Sequence, residues 1–161
     1  MGTQKLSALL WEERELLELL VFKLEEEQLL LTSGKTKWLT HATREVEQVL
    51  ERLRAADLGR AVAVAGLAAE WGTAEDATLR ELVAAAPPGP WTEIFGAHLQ
   101  AMTELTVKIR ELRDINEQFL RTAARSAQET LAGLNPEANT YTASGTSAAP
   151  TSAARLVDQN I

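Results

Sequence analysis

The first part of the chain is built from leucine and glutamate at helical spacing. Alternating steps of four and three residues from Leu6 reach Leu10, Glu13, Leu17, Leu20, Leu24, Glu27 and Leu31. Six of those eight positions are leucine, which is the seam of a helix and not the alternation of a strand. Leu9, Leu16 and Leu19 widen the seam, so this face has to cover more than one neighbour. The pattern predicts a helix from residue 5 to about residue 32, stopped at Ser33-Gly34, where glycine can adopt the left-handed cap. The next periodic run starts near Thr36 or Lys37, and so short a connection makes the two helices antiparallel neighbours.

A second helix is predicted to run to about Glu70. Leu39, Ala42, Val46, Val49, Leu53, Ala56, Ala63 and Leu67 keep its spacing, and Arg60 is the sole intruder. Around Asp57-Leu58-Gly59 a bend or fraying is expected, because glycine costs about 1 kcal/mol relative to alanine inside a helix. Trp71-Gly72-Thr73 breaks the run. Thr73 with Asp76 resembles a capping box, which predicts a short helix over 74–86 carrying Leu79, Leu82 and Val83. Pro87-Pro88-Gly89-Pro90 ends that element.

The last helix is predicted over 91–134, ended by Asn135-Pro136. Phe95, His98, Met102, Leu105, Ile109, Leu112, Asn116, Phe119 and Ala123 mark its seam, flanked by Ile94, Ile115 and Leu120. Some 40 residues at 1.5 Å each span about 60 Å, more than the first helix can cover. From Asn135 onward Ala, Ser, Thr, Gly and Pro dominate, and Glu137, Arg155 and Asp158 are the only charges. That composition predicts a disordered polar tail. The expected fold is therefore all-α: an elongated antiparallel helical hairpin or bundle of about three long helices plus one short helix over 1–134, with a flexible tail over 135–161.

Composition narrows the function. Lys and Arg number 16 against 23 Asp and Glu, a net charge of −7. That sign is repelled by nucleic acid phosphates and by anionic lipid surfaces, so neither is an expected partner. The absence of cysteine excludes disulfides, thiolate nucleophiles and cysteine zinc sites. No stretch approaches the roughly 18 consecutive apolar residues of a membrane-spanning helix. Met1-Gly2-Thr3-Gln4-Lys5 leads straight into the leucine repeat without a signal-peptide core, so a cytoplasmic location and no membrane insertion are expected.

Nothing in the sequence assembles catalytic machinery. The two histidines, His41 and His98, follow Trp38 and Phe95 by three residues, not the glutamate that di-metal bundles use. His41 is expected to be exposed and His98 to be a satisfied or boundary histidine. Ser33-Gly34-Lys35-Thr36 contains a Gly-Lys-Thr triplet but lacks the earlier glycine and the strand of a phosphate loop. The carboxylates, Glu12-Glu13 and Glu25-Glu26-Glu27 among them, are expected to be solvent-exposed, with no pocket to separate their pKa values. No catalytic residue, cofactor or metal ligand is therefore assigned, and an enzyme is not expected. Asn116 could fix helix register or mark the edge of the buried stripe, and the edge is the preferred reading. Trp11, Trp38, Trp71 and Trp91 lie at or near helix ends, where capping the bundle is preferred over anchoring a partner.

Three features together resemble the FlgN family of flagellar export chaperones. The first is LSALLWEERELLELLVFKLEEEQLLLTSG (6–34) passing through a Ser-Gly turn into WLTHATREVEQVLERL (38–53). The second is the late amphipathic stretch LTVKIRELRDINEQFL (105–120) with its asparagine. The third is NTYTASG (139–145), similar to a Tyr-x-x-x-Gly element of the family's tail, before the closing LVDQNI (156–161). The resemblance implies a cytosolic chaperone that binds the helical terminal regions of hook-associated proteins, prevents their premature assembly and delivers them to the flagellar type III export apparatus. An apolar groove covering a client helix reversibly would serve that role. The client surface is assigned to Leu105, Ile109, Leu112, Ile115, Phe119 and Leu120 on the last helix, because that helix is too long for the bundle to consume. The same six residues are also candidates for packing on the first two helices. Ile109→Asp with Phe119→Asp is expected to abolish client binding with helical content kept. A monomer or weak homodimer is expected. The competing reading is a structural coiled-coil adaptor that self-associates through the wide leucine face into a stable oligomer.

Overall fold

The computed structural model describes residues 1–134, and the tail expected over 135–161 lies outside the described residues. The described elements are α1 (Gly2–Thr32), a 3₁₀ turn (Thr36–Trp38), α2 (Leu39–Trp71), α3 (Leu79–Ala84) and α4 (Pro90–Leu134). The fold is all-α, with three long helices and one short one, and no strand occurs among the described residues. The chain divides into two units, Met1–Leu120 and Arg121–Ile161. In the second unit the described residues 121–134 continue α4 and are exposed at every position.

The first unit is organised by its helix ends. At the end of α1, Gly34 takes φ 68°. The Lys35 amide donates to the Leu30 carbonyl and the Gly34 amide to that of Leu31. These are the two bonds of a Schellman cap, and they turn the chain back on itself. Gly72, at φ 72°, ends α2 in the same way, with the Thr73 amide donating to Ala68. Leu20 and Leu24 of α1 pack with Val46 and Val49 of α2, while Leu6 and Leu10 pack with Val64 and Leu67. That pairing is the expected antiparallel hairpin. Through Asp57-Leu58-Gly59 the helix runs unbroken, so the expected fraying does not occur.

Residues 72–89 return the chain at the end of the hairpin where α1 begins. The short helix begins at Leu79, later than expected. Its cap is Thr78 with Glu81, and not Thr73 with Asp76: Thr78 Oγ1 accepts the Glu81 amide, and Glu81 Oε2 accepts the Thr78 amide at 2.7 Å. The Thr78 amide first, and the Thr78 hydroxyl donating to the same oxygen at 2.9 Å second, hold the Glu81 carboxyl below its ordinary value. Leu79 and Leu82 close the lower apolar cluster against Leu6, Leu10 and Phe95. Each such leucine contributes about 1.5–3 kcal/mol by leaving water. Trp71 and Trp91 pack on the Phe95 ring, with centroids 6.1 and 5.5 Å away, and cover this end of the bundle as expected. Trp11 and Trp38 are half exposed instead.

Because of that return, α4 runs parallel to α1. Phe95 meets Leu6 and Leu10, and Ile109 with Leu112 meets Leu20, Val21 and Leu24. Exposed Lys108 pairs with Glu25 at 2.8 Å along the seam.

Candidate functional site

Between and beyond the two apolar clusters the seam carries polar residues, and their arrangement corrects two expectations. Glu13 and Glu27, the two breaks in the leucine repeat, are buried and not exposed, with 7% and 5% of their surface accessible. Asn116 is buried at 2% and is not the edge of the stripe. Each break in one helix meets a break in another. Arg60, the intruder of α2, brings Nε to 2.8 Å from Glu13 Oε2. Asn116, the intruder of α4, donates from Nδ2 to the Leu24 carbonyl at 2.9 Å and to Glu27 Oε1 at 3.1 Å.

The middle polar layer lies at Glu13 and His98. The Glu13–Arg60 contact is a charge pair, but its angle is not that of a hydrogen bond, and neither Glu13 Oε2 nor Arg60 Nε has another polar partner. Arg60 also pairs with Asp57. Burial pushes the Glu13 carboxyl above its ordinary value; Arg60 pulls it back, while Asp57 adds to the rise. His98, on the facing helix, is 2% exposed, with Nε2 3.5 Å from Ser7 Oγ and Nδ1 3.4 Å from an Arg14 guanidinium nitrogen. Arginine can only donate, so His98 Nδ1 accepts and the ring is neutral. Burial first, and the Arg14 charge second, lower its pKa. His98 is thus the satisfied histidine expected, and His41 is exposed beside Trp38.

The upper polar layer forms the floor of a groove. An open cavity of about 490 Å³ lies between α1, α2 and α4. Leu24, Val46, Leu50, Ile109 and Leu120 supply its apolar lining, Glu27, Thr43 and Asn116 part of its polar lining, and the exposed Thr106, Arg110, Arg113, Asp114 and Glu117 the rest. Thr43 Oγ1 donates to Glu27 Oε2 at 3.1 Å, so both carboxylate oxygens are held by neutral donors. Asn116 Oδ1 is buried without a partner. At the hairpin's edge Lys23 donates to Glu45 at 2.8 Å, which raises the lysine pKa and lowers that of the carboxyl.

The six residues assigned from the sequence divide by depth. Ile109 and Leu112 are core, each 8% exposed, and Leu105 packs partly buried beside them. Ile115, Phe119 and Leu120 are exposed at 40%, 39% and 36%. Ile109 and Leu120 line the groove; Leu105 lines a separate cavity of about 360 Å³ with Arg14 and Lys108. Aspartate at Ile109 would therefore place a charge in the core, so a test of binding has to use the exposed three. Leu24, Glu27, Val46 and Leu50 enter the groove from helices not assigned to binding. The signal available for Glu27 and Asn116 was the coincidence of seam breaks. Among the described residues no group of three or more His, Cys, Asp or Glu is placed to hold a metal, and no helix is long and apolar enough to cross a membrane.

This helical architecture agrees with what the sequence resembles, and a family model decides the matter: that of the FlgN protein matches residues 1–149. The chain belongs to the FlgN family. No curated protein and no solved structure matches it. FlgN is a family of flagellar export chaperones, and the chain shares that general role. The match extends over all the described elements of this FlgN-family chain, so hairpin, return helix and groove all lie within the family region.

Proposed function

We propose that this FlgN-family protein acts in the cytoplasm as the chaperone of hook-associated proteins. It covers their helical terminal regions, keeps them from assembling early and hands them to the type III export apparatus. The observation that carries this reading is the family match over residues 1–149. The structure supports it with an apolar groove and a contiguous exposed set: Ile115, Phe119 and Leu120 stand at the end of the first unit beside the groove wall. An amphipathic client helix presents residues at i, i+3, i+4 and i+7, and a groove between helices receives such a face. As a monomer or weak dimer the protein would leave this surface free for the client.

The test is calorimetric titration with a purified hook-associated protein and with its terminal-helix deletion. One-to-one binding by the full client and none by the deletion supports the reading. Ile115→Ser with Phe119→Ser should then weaken binding at least tenfold with helical content unchanged, because both side chains are exposed. No binding by any hook-associated protein, with a stable homo-oligomer in light scattering, would replace the reading with a self-associating coiled coil.

A further inference from the structure

The floor of the groove has acceptors and too few donors. Glu27 is almost fully buried, and its oxygens accept only from the Thr43 hydroxyl and the Asn116 amide. A carboxylate offers about four acceptor sites, so half of them go unused here. Among the described residues Glu27 has no ion-pair partner. Arg110 and Arg113, which line the same groove, are exposed. Beside Glu27, the buried Asn116 Oδ1 has no donor at all. The other buried carboxylate, Glu13, has its arginine at 2.8 Å. Burying a charge without a counter-charge is costly, and Glu27 is the carboxylate of this core where the counter-charge is missing.

Aliphatic Leu24, Val46, Leu50, Ile109 and Leu120 line the same groove, together with the exposed side chains of Asp114 and Glu117. Apolar lining beside a buried carboxylate fits a side chain with an apolar stem and a cationic head. Deepening the chaperone reading, and resting on it, we propose that the groove is a specificity subsite for a basic residue of the client. The client helix presents a lysine or arginine flanked by aliphatic residues one turn away. The aliphatic residues pack on the groove walls, the cation reaches Glu27, and one of its N–H groups supplies Asn116 Oδ1. A wholly apolar client face would leave Asn116 Oδ1 covered and unsatisfied and Glu27 without a counter-charge. The subsite thus selects against such faces as well as for its own ligand.

Binding of a purified hook-associated protein to the wild-type chain and to Glu27→Gln tests this by calorimetry at low and high salt. Clients with each lysine and arginine of the terminal helices changed to Met are titrated in parallel. Glu27→Gln should bind about ten- to hundredfold more weakly, the value of one charge-assisted hydrogen bond, and with a smaller salt dependence. One client Met substitution should reproduce that loss and cause no further loss against Glu27→Gln. The client series uses the unaltered chaperone, so it decides the matter even if Glu27→Gln folds poorly. If the client binds but every Met substitution leaves affinity unchanged, the subsite is refuted and Glu27–Asn116 is only an internal peg between α1 and α4. If the wild-type chain binds no hook-associated protein, the chaperone reading falls, and the subsite with it.

Discussion

Changing Glu13 and Arg60 to leucine, singly and together, should give three unequal results. The Glu13 side chain is 9% exposed and the Arg60 side chain 23%, and Arg60 has a second carboxylate in Asp57, itself 60% exposed. Arg60→Leu strands Glu13 as a buried charge with Asp57 close by. Removing one partner of a buried pair costs about 3–5 kcal/mol, and the upper part of that range is expected here. Glu13→Leu strands nothing, since Arg60 can turn to Asp57 and water. The new leucine lies between the two apolar clusters, where burial contributes about 1.5–3 kcal/mol against the lost pair. A change within about 1 kcal/mol of wild type follows for this variant. The double variant replaces an off-axis ion pair by two apolar side chains and should exceed wild type by about 1–4 kcal/mol. Urea unfolding followed by helical circular dichroism at pH 7 reads all three, provided the slopes agree. The pH dependence supplies an internal check. Glu13's folded pKa lies above 4.5, so its protonation favours the folded state below 4.5, and that contribution is lost as pH rises through the folded value. Losing Arg60 raises the pKa further, so the Arg60→Leu deficit should shrink between pH 7 and pH 4.5. Equal losses for the two single variants, or a deficit independent of pH, would refute the asymmetry argued from burial.

Other positions give simpler expectations. His98 titrates below 6.5 in the folded state, so its contribution is present above 6.5 and lost as pH falls from 6.5 through the folded value. His98→Gln should flatten that loss in thermal unfolding measured from pH 7.5 to 5. Gly34→Ala puts a Cβ in the left-handed region at φ 68° with no neighbour within 4 Å, so backbone strain alone should cost about 1–2 kcal/mol in urea unfolding. Leu82→Ala empties a fully buried site in the plug formed by α3, and a loss of about 2–5 kcal/mol is expected in the same assay.

Much of the fold could be read in the sequence because helical period and glycine caps are local signals. Leu6 to Leu31 fixed a buried stripe, and Ser33-Gly34 and Pro87 to Pro90 fixed its interruptions. The start of α3 was misplaced because two Thr-x-x-acid patterns lie close together, and only Thr78 is followed by a helix whose leucines reach the core. The candidate site was less legible. Glu13, Glu27, Arg60 and Asn116 each look like faults in a seam when their helices are considered singly. Their pairing depends on the alignment of α1 with α2 and with α4, a tertiary fact that no single period contains. Likewise, Ile109 and Ile115 are similar residues on one helix, and only the position of α1 decides that one is buried and the other exposed.

The parallel placement of α4 also has a consequence for the order in which the first unit forms and opens. Hairpin contacts such as Thr43 with Glu27 close over 16 residues, whereas Asn116 reaches Leu24 across 92. The longer closure costs about 1.5 kcal/mol more in chain entropy, so the hairpin is the natural nucleus and α4 docks late. The same order governs opening: amides of α4 should exchange with solvent by a lower-energy local release than those at the centre of α1. The groove borders the helix that joins last, so local release of α4 opens the groove while the hairpin stays closed.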